Sequence, residues 1–158
     1  MTTAATHPQQ RIENELKAAL KAGEKLRLQT LRLLLTEIKN ERIRRGAEVD
    51  EAGFAGLVRK AIKQREEAAA QYRAGRRPEL AAKEESEAAI LAGFLPPAAD
   101  EGEVRAAIAA LIAERGLAGP QAIGPVMKEM LARFGTRADG ATLNRIAREL
   151  LGAAGAAR

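Results

Sequence analysis

The sequence predicts an all-α protein: an N-terminal bundle of about four helices (residues 1–95), a proline-containing linker, and a small three-helix C-terminal domain (residues 96–158). Three observations lead there. Alanine, leucine, glutamate and arginine dominate, and these side chains lose little on entering a helix. Apolar residues recur every three or four positions, and no segment alternates as a strand would. The stretch FLPPAAD at 94–100 carries two adjacent prolines, which stop one helix and stiffen the connection to the next.

Each element then has its own signal. Thr6 and Gln9 have capping-box spacing, and Pro8 suits a first turn because its missing N–H is not needed there. Ile12, Leu16 and Leu20 mark the buried side of this first helix, and Gly23 stops it. A second helix spans about 24–45, with Leu28, Leu31, Leu34, Leu35 and Ile38 inward and Gly46 at its end. Asp50 caps a third, about 51–74, whose stripe is Phe54, Leu57, Val58, Ala61, Ile62, Ala68, Ala69 and Tyr72. Gly75 ends it. Pro78 opens a fourth helix with Leu80, Ile90, Leu91 and Phe94 apolar.

Beyond the prolines the helices should be shorter. Asp100 and Glu103 have cap-box spacing ahead of Val104, Ile108, Leu111 and Ile112. A turn-rich connection at 116–124 leads to a helix opened by Pro125, with Val126, Met127, Met130, Leu131 and Phe134 inward. The last helix buries Leu143, Ile146, Ala147 and Leu150. The tail GAAGAAR has no periodicity and is expected to fray.

Composition narrows the function classes. The chain has 158 residues, a net charge of +5 and no cysteine, which excludes disulfides and thiolate metal sites. No apolar run approaches membrane-spanning length, and the opening MTTAATHPQQ lacks the apolar core of a secretion signal. A cytoplasmic protein with no membrane partner is the expectation. The mild basic excess suits a polyanion such as RNA.

An inventory of reactive groups turns up no convincing catalytic set. His7 is the single histidine and Ser86 the single serine, and no Gly-rich nucleotide cradle occurs. Glu84 and Glu87 have metal-site spacing but lack a histidine, so no metal and no cofactor are expected. A structural role fits them better. Arg65 falls on the apolar stripe of the third helix, and the two glutamates fall on that of the fourth. Charges placed inward must be paired, so Arg65 should bridge to Glu84 or Glu87. Glu37, Asn40, Glu41 and Arg42 form a second polar cluster, suited to an interhelix salt bridge or to a partner protein.

The segment FGTRADGATLNRIARELL at 134–151 poses the sharpest question. Asp139 is a good N-cap, and Gly140 would let another backbone approach. The free N–H groups of that terminus favour an anion. Lys128, Arg133 and Arg137 precede it and Arg145 and Arg148 follow. Residues 120–158 hold six basic and three acidic groups. Two readings stand: a phosphate footprint, or a helix whose own Asp139 supplies the anion. Base stacking is not expected, because Phe54, Tyr72, Phe94 and Phe134 are the only aromatics.

Three stretches carry a family resemblance: LRLLLTEIKNERI, RKAIKQREEAAAQYRAGRRPELAAKEESEAAILAGFLP and IGPVMKEMLARFGTRADGATLNRIARELL. Together they resemble the GatB/YqeY family from about Ile12 to Leu151. The last, through Gly124, Met127, Ala138, Asp139, Gly140, Asn144 and Leu150–Leu151, is similar to the tail of the GatB subunit of glutamyl/aspartyl-tRNA amidotransferase. The resemblance implies a helical domain followed by a tail domain that approaches the body of a tRNA. With the charge pattern above, Lys128, Arg133, Arg137, Gly140, Asn144, Arg145 and Arg148 are the expected nucleic-acid contacts, of which Arg133 and Arg145 match no position the family requires; the resemblance adds the amidotransferase or other translation-related proteins as further partners. A non-catalytic tRNA-associated accessory protein is the leading expectation. A helical protein–protein adaptor using the second and third helices is the alternative. The resemblance also carries a third reading, carbon–nitrogen ligase activity with glutamine as amido donor, although nothing here resembles the kinase-like catalytic domain.

Overall fold

A computed structural model of the chain describes residues 7–157. Every regular element among them is helical. The elements are α1 (Pro8–Ala22), α2 (Lys25–Arg45), α3 (Glu51–Ala74), α4 (Pro78–Ala92), α5 (Glu101–Arg115), a 3-10 turn (Pro120–Ala122), α6 (Ile123–Phe134) and α7 (Gly140–Ala156). The chain divides into two compact units, Met1–Leu95 and Pro96–Arg158.

Local chemistry sets the helix ends. Asp50, Asp100 and Asp139 each accept a hydrogen bond from the backbone N–H three residues on, at 2.7, 3.2 and 2.8 Å. Each bond satisfies a donor that the first helical turn leaves open. Pro8 and Pro78 open α1 and α4. The capping role of Thr6 lies outside the described residues.

In the N-terminal unit Ile12, Leu31, Leu34, Ile38, Phe54, Val58 and Leu91 form the core. Leu20 is a correction to the expected stripe: it is 61 % exposed and the smaller Ala19 is buried instead. α1 packs closely on α2, and a methyl group fits that approach. The paired charge between α3 and α4 forms as the inward spacing requires. Arg65 Nε stands 2.7 Å from Glu87 Oε2 and 3.6 Å from Glu84 Oε2. Lys83 Nζ adds a contact of 3.8 Å to Glu87. Arg65 Nε is buried without an aligned hydrogen bond, so the attraction is chiefly charge to charge.

The C-terminal unit closes around Val104, Ile108, Leu111, Val126, Met130, Phe134, Leu143, Ile146, Ala147 and Leu151. Four details depart from the sequence reading. Leu131 is 44 % exposed. Of the two adjacent leucines late in α7, Leu151 is the buried one, with Leu150 at the margin of the core. The tail does not fray where expected, because α7 continues to Ala156. Ala154 packs against the core, and Gly155 lies beside the backbone of Gly119, where an added Cβ would stand 3.7 Å from the Gly119 nitrogen. α6 begins at Ile123 and not at Pro125, because the 3-10 turn leads into it directly. Gly119 makes that entry possible with φ 79° and ψ 173°, a conformation that is essentially confined to glycine.

Candidate nucleic-acid interface

The seven candidate residues lie on α6, on α7 and on the link between them. The structure sorts them by what holds each one. Arg137 is tied within its own unit. Its two terminal nitrogens donate to both carboxylate oxygens of Glu103, at 3.2 and 3.1 Å. Its Nε donates to the Pro97 carbonyl at 3.4 Å, and its own carbonyl accepts from the Ala99 N–H at 2.8 Å. A bidentate arginine with a third backbone bond closes the unit's first residues onto the α6–α7 link. Arg145 lies 3.2 Å from Glu101 and 4.0 Å from Glu149. Arg105 joins the same network, donating to both oxygens of Glu149 at 3.2 and 3.0 Å. These hydrogen bonds from Arg105, with its charge, hold the Glu149 carboxyl below the usual glutamate range; Arg145 adds to the effect.

Arg148 has a different setting. Its Nε donates to Asn144 Oδ1 at 2.7 Å. An amide oxygen fixes the direction of the guanidinium without cancelling its charge. The side chain also borders a small cleft of about 100 Å³, lined by Gly119, Pro120, Ile123, Leu151 and Gly152. Arg133 lies with its guanidinium 5.5 Å from the centre of the Phe134 ring, a position that again leaves the charge intact. Lys128 is exposed. Five residues separate it from Arg133, so the two diverge by about 140° around α6. They do not form one patch.

Gly140 is the first residue of α7. Nothing among the described residues lies within 4 Å of where its Cβ would be, so none of their backbone makes the close approach that a glycine there would permit. Asp139 closes the helix start from within: Oδ1 accepts from the Thr142 N–H and Oδ2 from the Thr142 hydroxyl, both at 2.8 Å.

Charge balance changes the picture further. Residues 96–158 contain eight basic and seven acidic groups, and residues 1–95 contain eighteen and fourteen. The excess of residues 120–158 is therefore reduced by residues 96–119, whose acids include the α5 cap Asp100 and, in the first turn, Glu101 and Glu103. The polar cluster on α2 also resolves differently from the first of its two readings, an interhelix salt bridge. Glu41 is clasped within its own helix by Arg44 and Arg45, at 2.6 and 2.5 Å. Hydrogen bonds from Arg44 first and Arg45 second lower its pKa. Arg42, from the same helix, reaches Gln9 at 3.2 Å.

No helix among the described residues is long and apolar enough to cross a membrane. No curated protein matches the chain. Residues 9–151 match the model of the Yqey-like proteins, and the chain belongs to the YqeY family.

Proposed function

We propose that this YqeY-family protein is a tRNA-associated accessory protein that holds the tRNA body through phosphate contacts of its C-terminal unit. The observation that carries the reading is the state of Arg148. It is oriented by a neutral partner at 2.7 Å and borders an open cleft, so it keeps its full charge in a prearranged direction. A guanidinium in that state can meet a phosphate with two parallel donors and loses little freedom in doing so. Lys128 and Arg133 supply further charge. Arg137 and Arg145 contribute less, because their carboxylate partners compete with any phosphate. The similarity of 123–151 to the amidotransferase tail supports tRNA as the polyanion, with amidation in trans as the process served.

Binding of an unmodified tRNA transcript to the whole chain as a function of salt tests the reading. Log affinity should fall linearly with log salt, by roughly 0.7–0.9 for each phosphate contact. Arg148→Glu should weaken binding about tenfold or more at low salt, with the melting temperature unchanged. Arg137→Glu is a poorer probe, because it also breaks the bond to Glu103. Absence of binding at low salt would favour the adaptor, and glutamine-dependent ATP turnover by the pure chain would favour the ligase.

A further inference from the structure

Three cations on α2 are unaccounted for by any role in the fold. Lys25, Arg32 and Lys39 are all exposed. None has a carboxylate partner among the described residues, although most arginines of the N-terminal unit do. Residues seven apart on a helix come within about 20° of each other, so the three share one face. Gln29 and Thr36 lie between them on that face, and no acid does. Helix stability does not explain the arrangement. Lys25 stands in a first turn that has no acidic residue, where the helix dipole disfavours a cation.

We infer that this face of α2 is a second phosphate-contacting surface, which follows an RNA backbone; the inference rests on the tRNA reading above. The geometry selects the ligand class. Each step of seven residues rises about 10.5 Å, so Lys25 and Lys39 stand about 21 Å apart on a rigid rod. No small anion reaches all three, and a polymer with regularly repeated charge does. The face has no aromatic ring, so it offers the bases nothing to stack on and meets the sugar–phosphate backbone alone. A protein partner suits it less. Interfaces between proteins are depleted in lysine and built around an apolar centre. The exposed aliphatics of α2, Leu33 and Ile43, are about 15 Å apart along the axis and make no seam.

The test compares charge reversals in the whole chain. Lys25→Glu/Arg32→Glu/Lys39→Glu should lower affinity for a tRNA transcript about tenfold or more, and lower the magnitude of the salt slope by about 2–3. Melting by circular dichroism should be unchanged, since the three side chains are exposed and hold no carboxylate among the described residues. If the reversal does unfold the chain, the triple glutamine variant should still lose about 2–3 from the slope. A short RNA duplex should bind through this face, and polyglutamate should compete only weakly. Wild-type affinity and slope in both triple variants would overturn the inference. So would polyglutamate competing as well as RNA, which would mark an acidic-protein site. If Arg148→Glu weakens binding while the α2 variants do not, the tRNA reading stands and this surface falls. If the wild-type chain binds no RNA at low salt, both fall.

Discussion

The two units handle charge in opposite ways. Among the described residues, the N-terminal unit buries an acid, Glu87, and holds it with Arg65 at 2.7 Å. No charged residue of the C-terminal unit is buried. Its ion pairs, Arg137–Glu103, Arg105–Glu149, Arg145–Glu101 and Arg115–Glu129, all lie at the surface. The first arrangement makes a charge part of the packing. The second leaves the core to Met130, Phe134, Leu143 and Ile146 and uses arginine to fasten the outside. The difference teaches where electrostatics should matter for stability and where for binding. Removing one inside partner strands the other in a poor solvent. Removing an outside partner mostly frees a charge for water or for a ligand.

The largest expected effect tests the inside half of that contrast. Glu87→Ala leaves Arg65 Nε buried with only Glu84 at 3.6 Å to offset it. The loss should be about 3 kcal/mol, the low end for a broken buried pair, because Arg65 keeps some contact with water. Denaturant titration should register it as a shift of midpoint at unchanged slope. The double variant Arg65→Met/Glu87→Leu should recover most of the loss, since apolar replacements of similar volume often match a buried ion pair. A single variant as stable as wild type would place the pair among ordinary surface contacts.

A second test strikes the C-terminal unit where its architecture depends on the backbone. Gly119 adopts φ 79° and ψ 173°, and a Cβ there would stand 2.8 Å from Gln121 Oε1. Gly119→Ala should cost about 2 kcal/mol, through the strained backbone more than the flexible glutamine. The loop also borders the cleft beside Arg148 and lies next to Gly155. The same variant should therefore loosen the end of α7, seen as faster amide exchange at 152–156. Unchanged exchange there would mean that the tail is ordered by Ala154 alone.

How far the sequence was readable depends on the same contrast. The Asp100 and Asp139 caps are legible because a cap and its acceptor geometry are local. The Arg65 pair is legible because a charge on an apolar stripe has few places to go. The tail is not, because Ala154 and Gly155 pack through smallness and leave no hydrophobic signal. Leu20 misleads for the related reason that spacing marks a face but not how closely a neighbour approaches it. At the interface the arginines are evident and their partners are not. Glu103 lies 34 residues before Arg137, and Glu149 lies 44 after Arg105. A tally of charge over 120–158 cannot include α5, which folds back to neutralise part of it. The α2 face was readable in principle from its spacing of seven, but only the structure separates its unpaired cations from the paired ones around them.

The smallest effect concerns the outside pairs, and it gives the contrast its sharpest form. Glu149 is held below the ordinary glutamate pKa by hydrogen bonds from Arg105, with Arg145 adding a weaker attraction. Glu41 is lowered by Arg44 and Arg45. A carboxyl whose folded pKa is depressed stabilises the fold above its unfolded pKa. That contribution disappears as pH falls through the folded value. Glu149 is half-exposed and Glu41, largely covered itself, sits against two exposed arginines, so the change in stability should be slight, while the titration itself should be plain. Carbon-detected NMR of the two side-chain carboxyls should give midpoints below those of free glutamate. Arg105→Gln should return Glu149 most of the way, and Arg145→Gln only a little. Added tRNA provides the discriminating step. If phosphate draws Arg145 away from Glu149, the Glu149 midpoint should rise slightly on binding, while Glu41, clasped within α2, should hold its value. Equal movement of both would mean that the polyanion acts through its general field, and that no particular pair opens to receive it.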